Sequence, residues 1–144
     1  MAEMKVAKCD VALEYLDAAI EFFLAGRNLF CAIHLSAAAE ELLGALLLEG
    51  QRVSTLAWKA EKALISETGQ TLSDREAMKS VNEWKNEVKH MNGGSPRTLI
   101  IDPAFAAEYH IGQALNNFYK LGLPKSIAVW NFEDIQNRRI RDSQ

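Results

Sequence analysis

Near the start of the chain, Cys9, Leu13, Leu16, Ile20, Phe23 and Leu24 recur at the spacing of one face of a 3.6-residue helix, and Gly26 follows as a natural left-handed exit. Asn28 then offers a cap for a second helix that runs to about Glu49 and Gly50. Phe30, Ile33 and Ala37 form one apolar stripe on it, and Ala32, Leu35, Ala39, Leu42 and Leu46 form a parallel one. Two stripes mark a central helix, or one shared with another subunit. Its alanines, Ala32, Ala37, Ala38 and Ala39, let neighbouring helices approach closely. After Ser54 or Thr55, the residues Leu56, Ala57, Ala60, Ala63 and Leu64 predict a shorter surface helix ending near Gly69. Ser73 and Glu76 have the reciprocal capping-box spacing and open a fourth helix that closes at Asn92-Gly93-Gly94. Asp102-Pro103 caps a fifth, with Phe105, Ile111, Leu115, Phe118 and Tyr119 as core candidates and Gly122 and Pro124 as its stop.

Residues 124–144 open on a β-prone apolar run and close on a basic segment containing Arg138, Arg139 and Arg141. Val129, Trp130 and Phe132 would make a sticky patch if left exposed, so they are expected to dock on this subunit or on a partner. No repeat, low-complexity tract or series of strands interrupts the pattern. The predicted fold is all-α: a five-helix antiparallel up-and-down bundle over residues 1–123, followed by an extended C-terminal docking arm over residues 124–144.

With 144 residues, 49% hydrophobic and 24% charged, the chain fits one domain with a substantial core. Its net charge of -3 conceals an asymmetry: residues 1–50 carry three Lys/Arg against eight Asp/Glu, and residues 51–100 carry eight against six. An anionic partner should therefore meet the second half. The acidic total argues against a protein that coats nucleic acid non-specifically, which requires a long basic surface. Cys9 and Cys31 sit in apolar helical stretches without zinc-ligand spacing and are expected to be buried, reduced thiols. The N-terminus lacks the layout of a signal peptide, and the apolar run 42–48 is far too short for a span. A cytoplasmic protein without membrane association is expected.

The candidate chemistry lies in residues 82–92, NEWKNEVKHMN. Asn82, Asn86 and His90 recur every four residues and stack on one helical face, with Lys85 and Lys89 in the adjoining row. Met78, Val81, Trp84, Val88 and Met91 form the apolar row beside them. Amides, cations and an imidazole in that arrangement point to a phosphate, nucleotide or RNA site. Plainer readings stand next to it. An imidazole near a helix C-terminus is favoured by the helix dipole, and the two lysines are within reach of Glu83 and Glu87. Two asparagines in one row are harder to account for by helix stability, since asparagine is a mediocre helix former.

Glu87 and His90 also have the Glu-x-x-His spacing of di-iron bundles, but His110 is preceded three residues earlier by Ala107, so the second copy is missing and no metal is expected. No cofactor is expected either, because Gly93-Gly94 follows a helix instead of opening one. His34 is expected to be a hydrogen-bonded core or interface histidine, one of Glu40 and Glu41 buried and the other solvated, and Trp58, Trp84 and Trp130 core or interface anchors.

The alanine-rich second helix, entered through Ala25-Gly26-Arg27-Asn28, and the late-helix set Lys85, Asn86 and His90 resemble the HEPN superfamily, over roughly residues 8–121. That family consists of small all-α domains that pair as dimers and include ribonucleases and nucleotide- or RNA-binding modules. Its motif is an arginine and a polar residue preceding a histidine, and here Lys85 stands in the arginine position. The resemblance implies His90 as general acid or base, Lys85 as the charge on the phosphorane and Asn86 as an orienting group, with Lys89 and Asn82 as further phosphate contacts. A lysine gives a mobile point charge where arginine gives a two-pronged grip, so metal-independent ribonuclease activity is expected to be weak or absent. A homodimer, an RNA or nucleotide ligand and a nucleotidyltransferase-type partner protein are the associations it implies. The alternative is a non-catalytic dimeric protein-interaction module.

Overall fold

The computed structural model describes residues 2–49, 51, 88 and 98–144, and among these every regular element is a helix. They are α1 (Lys8–Leu24), α2 (Leu29–Leu46), α3 (Pro103–Lys120) and α4 (Ile127–Asp142). The helices expected over residues 55–69 and 73–92 lie outside the described residues, apart from Val88. The all-α class holds.

Two of the helices end by the same device. Gly26 and Gly122 both have φ of 64°, a conformation that costs a residue with a side chain about 1–2 kcal/mol. After α1, the amides of Gly26 and Arg27 return to the carbonyls of Phe23 and Phe22 at 3.0 and 3.1 Å. After α3, the amides of Gly122 and Leu123 return to Tyr119 and Phe118 at 3.0 and 3.5 Å. Both are Schellman closures, and each reverses the chain within a few residues. Asn28 does not cap α2 with its side chain. It sits at the cap position with φ of 52° and no side-chain hydrogen bond, so it acts as the turn's second left-handed residue. Asp102 behaves as expected, its Oδ1 accepting from the amides of Ala104 and Phe105 at 3.0 and 3.1 Å.

The core is assembled from Leu16 and Ile20 of α1, Ile33 and Leu43 of α2, Ile111, Leu115 and Phe118 of α3, and Val129 and Phe132 of α4. Ala12, Ala19, Ala32, Ala39, Ala106, Ala107 and Ala114 fill the spaces between them and are fully buried. With so many small side chains in contact, α2 lies close against both α1 and α3, the most extensive interfaces among the described helices. By length and composition α2 would suffice to cross a membrane, but a core helix meets the same criterion.

The extended C-terminal arm is a correction: Ile127–Asp142 is a helix. Propensity alone misreads this segment because packing overrides it. Ser126 caps the helix, its Oγ accepting from the Val129 amide at 3.2 Å while donating to Asp17 Oδ1 of α1 at 2.6 Å. Ala128, Val129 and Phe132 are buried, with the Phe132 ring centroid 5.7 Å from that of Phe23. Other assignments also change. Phe105 and Tyr119, expected in the core, are 53% and 45% exposed. Cys31 is exposed and Cys9 half-buried, and both are free thiols. His34 lies on the exposed side of α2 and is not a core histidine of this subunit. Glu40 is buried and Glu41 exposed, the division expected of that pair.

Candidate functional site

The residues singled out by sequence, Asn82, Lys85, Asn86, Lys89 and His90, lie outside the described residues. Val88, set among them in the chain, is helical and half-buried and packs against the core cluster. That agrees with its place in the expected apolar row.

Two polar constellations emerge from the described helices. The first is a seam between α2 and α3. His110, Gln113 and Asn117 follow one another at helical spacing on α3, and Ser36 and Glu40 do so on α2, all of them buried. Asn117 Nδ2 donates to the Glu40 carbonyl oxygen at 3.0 Å, tying the two helices together beyond their apolar contacts. The Ser36 hydroxyl returns to its own helix, donating to the Ala32 carbonyl at 2.6 Å. The His110 ring meets the Tyr109 ring edge-on at 5.3 Å. Among the described residues, Gln113 Oε1, Asn117 Oδ1 and Asn116 Nδ2 are buried without a hydrogen-bond partner. A buried polar atom in that condition costs about 1–3 kcal/mol, so the seam is a place where polarity is kept against stability. At the end of the interface Gln51 forms a clasp, accepting from the Leu48 amide at 3.0 Å and donating to the Lys120 carbonyl at 3.1 Å.

The second constellation is a cleft of about 550 Å³ between α3 and α4, lined by Gly112, Leu115, Tyr119, Lys125, Phe132, Glu133, Gln136 and Asn137. Polar side chains bridge it at both ends. At one end Lys125 Nζ donates to Glu133 Oε2 at 2.9 Å, and the Tyr119 hydroxyl donates to Glu133 Oε1. At the other, Glu108 Oε1 accepts from Gln136 and from Arg139, the latter at 2.9 Å. Burial pushes the Tyr119 phenol up, and its hydrogen bond to Glu133 and that carboxylate's charge push it further. Burial also pushes Glu133 up. The hydrogen bonds from Lys125 and Tyr119 and the Lys125 charge outweigh it and leave the carboxyl below its ordinary value.

Sequence reasoning missed this second group because it treated residues 124–144 as extended. A helix opened by Ser126 places Val129, Phe132, Glu133 and Gln136 on one face, a pattern that was available in the residues. Trp130, expected as an anchor, is 58% exposed, with Lys125 Nζ 4.4 Å from its ring centroid. Among the described residues no group of three or more His, Cys, Asp or Glu is arranged to hold a metal ion. Compared with protein-family models, with curated proteins and with solved structures, the chain matches none.

Proposed function

We propose that the chain is a HEPN-like domain that dimerises and binds a nucleotide or RNA through Lys85, Asn86 and His90, with Lys89 and Asn82 as further phosphate contacts and with weak or absent ribonuclease activity. The observation that carries this is the row of amides and imidazole flanked by lysines in residues 82–92. Support comes from the all-helical body and from Val88 seated on its core. In this reading His90 moves the proton of a ribose 2'-hydroxyl as it attacks the neighbouring phosphate, the P–O5' bond breaks to leave a 2',3'-cyclic phosphate and a 5'-hydroxyl that takes up a proton, Lys85 stabilises the charge that develops, and Asn86 orients one of them. The reaction needs no metal. A nucleotidyltransferase-type partner and a cytoplasmic setting, in keeping with two free thiols, belong to the same proposal.

The test is incubation of the protein with mixed RNA in the presence of a chelator, beside His90→Ala and Lys85→Arg. Wild type is expected to cut slowly or not at all, Lys85→Arg to gain cleavage, and His90→Ala to abolish whatever is seen. Cleavage by His90→Ala equal to that of Lys85→Arg would defeat the assignment.

A second reading, a non-catalytic dimeric interaction module, is favoured by one feature of α2. Phe30 and Leu46 are 50% and 46% exposed, and Cys31 and His34 are exposed on the same helix. An RNA-inert chain that remains dimeric, and becomes monomeric on Phe30→Glu, would decide for that reading.

A further inference from the structure

Lys125 lies immediately before the N-cap of α4, at the positive end of a helix dipole, where an ammonium gains nothing from the backbone. Its side chain nevertheless folds into a box. Glu133 Oε2 is 2.9 Å from Nζ, the Trp130 ring centroid 4.4 Å and the Tyr119 centroid 5.7 Å. A carboxylate and the negative faces of two aromatic rings therefore hold a cation where the helix terminus disfavours one. The Tyr119 hydroxyl, donating to the second carboxylate oxygen, keeps Glu133 turned toward it.

The box is continuous with the cleft between α3 and α4, since Tyr119, Lys125 and Glu133 line both. Beyond it the walls are the apolar side chains of Leu115 and Phe132 and the carboxamides of Gln136 and Asn137. Gly112 adds no side chain, and a Cβ placed there would meet nothing within 4 Å. The cleft, about 550 Å³, has room for a small organic molecule and is largely open to solvent.

We propose that this cleft binds a small organic cation, an ammonium head on an apolar body, whose head takes the place of the Lys125 ammonium against Glu133 and Trp130 and whose body covers Gly112, Leu115 and Phe132. Lys125 belongs to the connection between α3 and α4, so it yields the box by side-chain rotation with neither helix moving. Until it yields, it acts as a tethered competitor. Its effective concentration, on the order of millimolar or higher, weakens the apparent affinity of any free cation.

The probe is benzyltrimethylammonium chloride, titrated into the full chain and followed by the Trp130 indole N–H and the amides of α3 and α4 in 15N-resolved spectra. Sodium chloride at equal ionic strength and benzyl alcohol serve as controls. Lys125→Ala is expected to bind roughly tenfold more tightly than wild type, because the competitor is gone. Glu133→Gln in the Lys125→Ala background is expected to lose that gain, and Gly112→Leu to exclude the benzyl body while still admitting tetramethylammonium. The Lys125 and Glu133 side chains are 32% and 21% exposed and belong to no part of the hydrophobic core, so both variants are expected to keep the fold. The proposal is overturned if Lys125→Ala binds no more tightly than wild type, if benzyl alcohol gives the same response, or if Glu133→Gln changes nothing.

Discussion

The α2/α3 seam and the α3/α4 cleft use the same kinds of polar side chain to opposite ends. In the seam, Ser36, Glu40, His110, Gln113 and Asn117 are removed from water, so each must find its partner inside or cost stability. In the cleft, Lys125, Glu133, Tyr119, Glu108 and Arg139 remain in contact with solvent, and water competes for every bond they make. The seam therefore fixes how α2 and α3 register against each other. The cleft's polar contacts tie α4 to α3 near the surface, while Val129 and Phe132 pack it into the core beside α1.

The division breaks if the two halves fail to separate in stability. Phe118→Ala, which empties a fully buried position of α3, is expected to cost about 3–5 kcal/mol in urea unfolding. Phe132→Ala removes a comparable ring from α4, but its effect is expected to be local. Hydrogen exchange should quicken through Ile127–Asp142 while the amides of α1 to α3 keep their protection. Equal global losses for the two variants would show that α4 unfolds together with the rest of the core it contributes to.

A sharper test lies inside the seam, at Gly44. A Cβ there would come within 3.2 Å of Asn117 Nδ2, which is committed to the Glu40 carbonyl. Gly44→Ala gains about 1 kcal/mol of helix propensity, yet it is expected to destabilise the wild type because the buried amide has nowhere to retreat. In an Asn117→Ala background, itself costing about 1–3 kcal/mol, the same substitution should become stabilising. A stabilising Gly44→Ala in the wild type would mean that the seam yields.

The smallest effect belongs to the cleft. Glu133→Gln is expected to change stability by less than about 1 kcal/mol, and less again at high salt. Because the Glu133 carboxyl is held below its ordinary value when folded, its contribution is complete above about pH 4.3, the unfolded value. It disappears as pH falls through the depressed folded range. A difference between wild type and Glu133→Gln that grew on acidification would contradict the assigned ion pair.

Much of this body was legible in the residues. The periodicity of α1 and α3, the glycine exits at Gly26 and Gly122 and the Asp102-Pro103 cap each rest on a local rule that the fold leaves in force, whereas the equally local cap expected of Asn28 gives way to the turn. Burial was read less well. Phe105 and Tyr119 fall on helical positions that look apolar in the sequence, but which face is covered depends on where α4 lies, and that is a tertiary fact. The same dependence hid the cleft, whose parts come from α3, α4 and the connection between them. The seam was half visible: one of Glu40 and Glu41 was expected to be buried, and packing selects Glu40, while Gln113 and Asn117 carried no signal beyond their spacing. The residues on which the functional proposal rests, Lys85, Asn86 and His90 with Asn82 and Lys89, are carried by the sequence pattern alone.

Fluorescence anisotropy of an end-labelled single-stranded RNA, titrated with the wild-type chain, Lys85→Ala and His90→Ala at two salt concentrations, addresses that proposal most directly. Wild type is expected to bind, with affinity falling as salt rises, and both substitutions to weaken binding severalfold at the lower salt. Failure of the wild type to bind RNA or nucleotide at low salt, or binding unaltered by both substitutions, would contradict it.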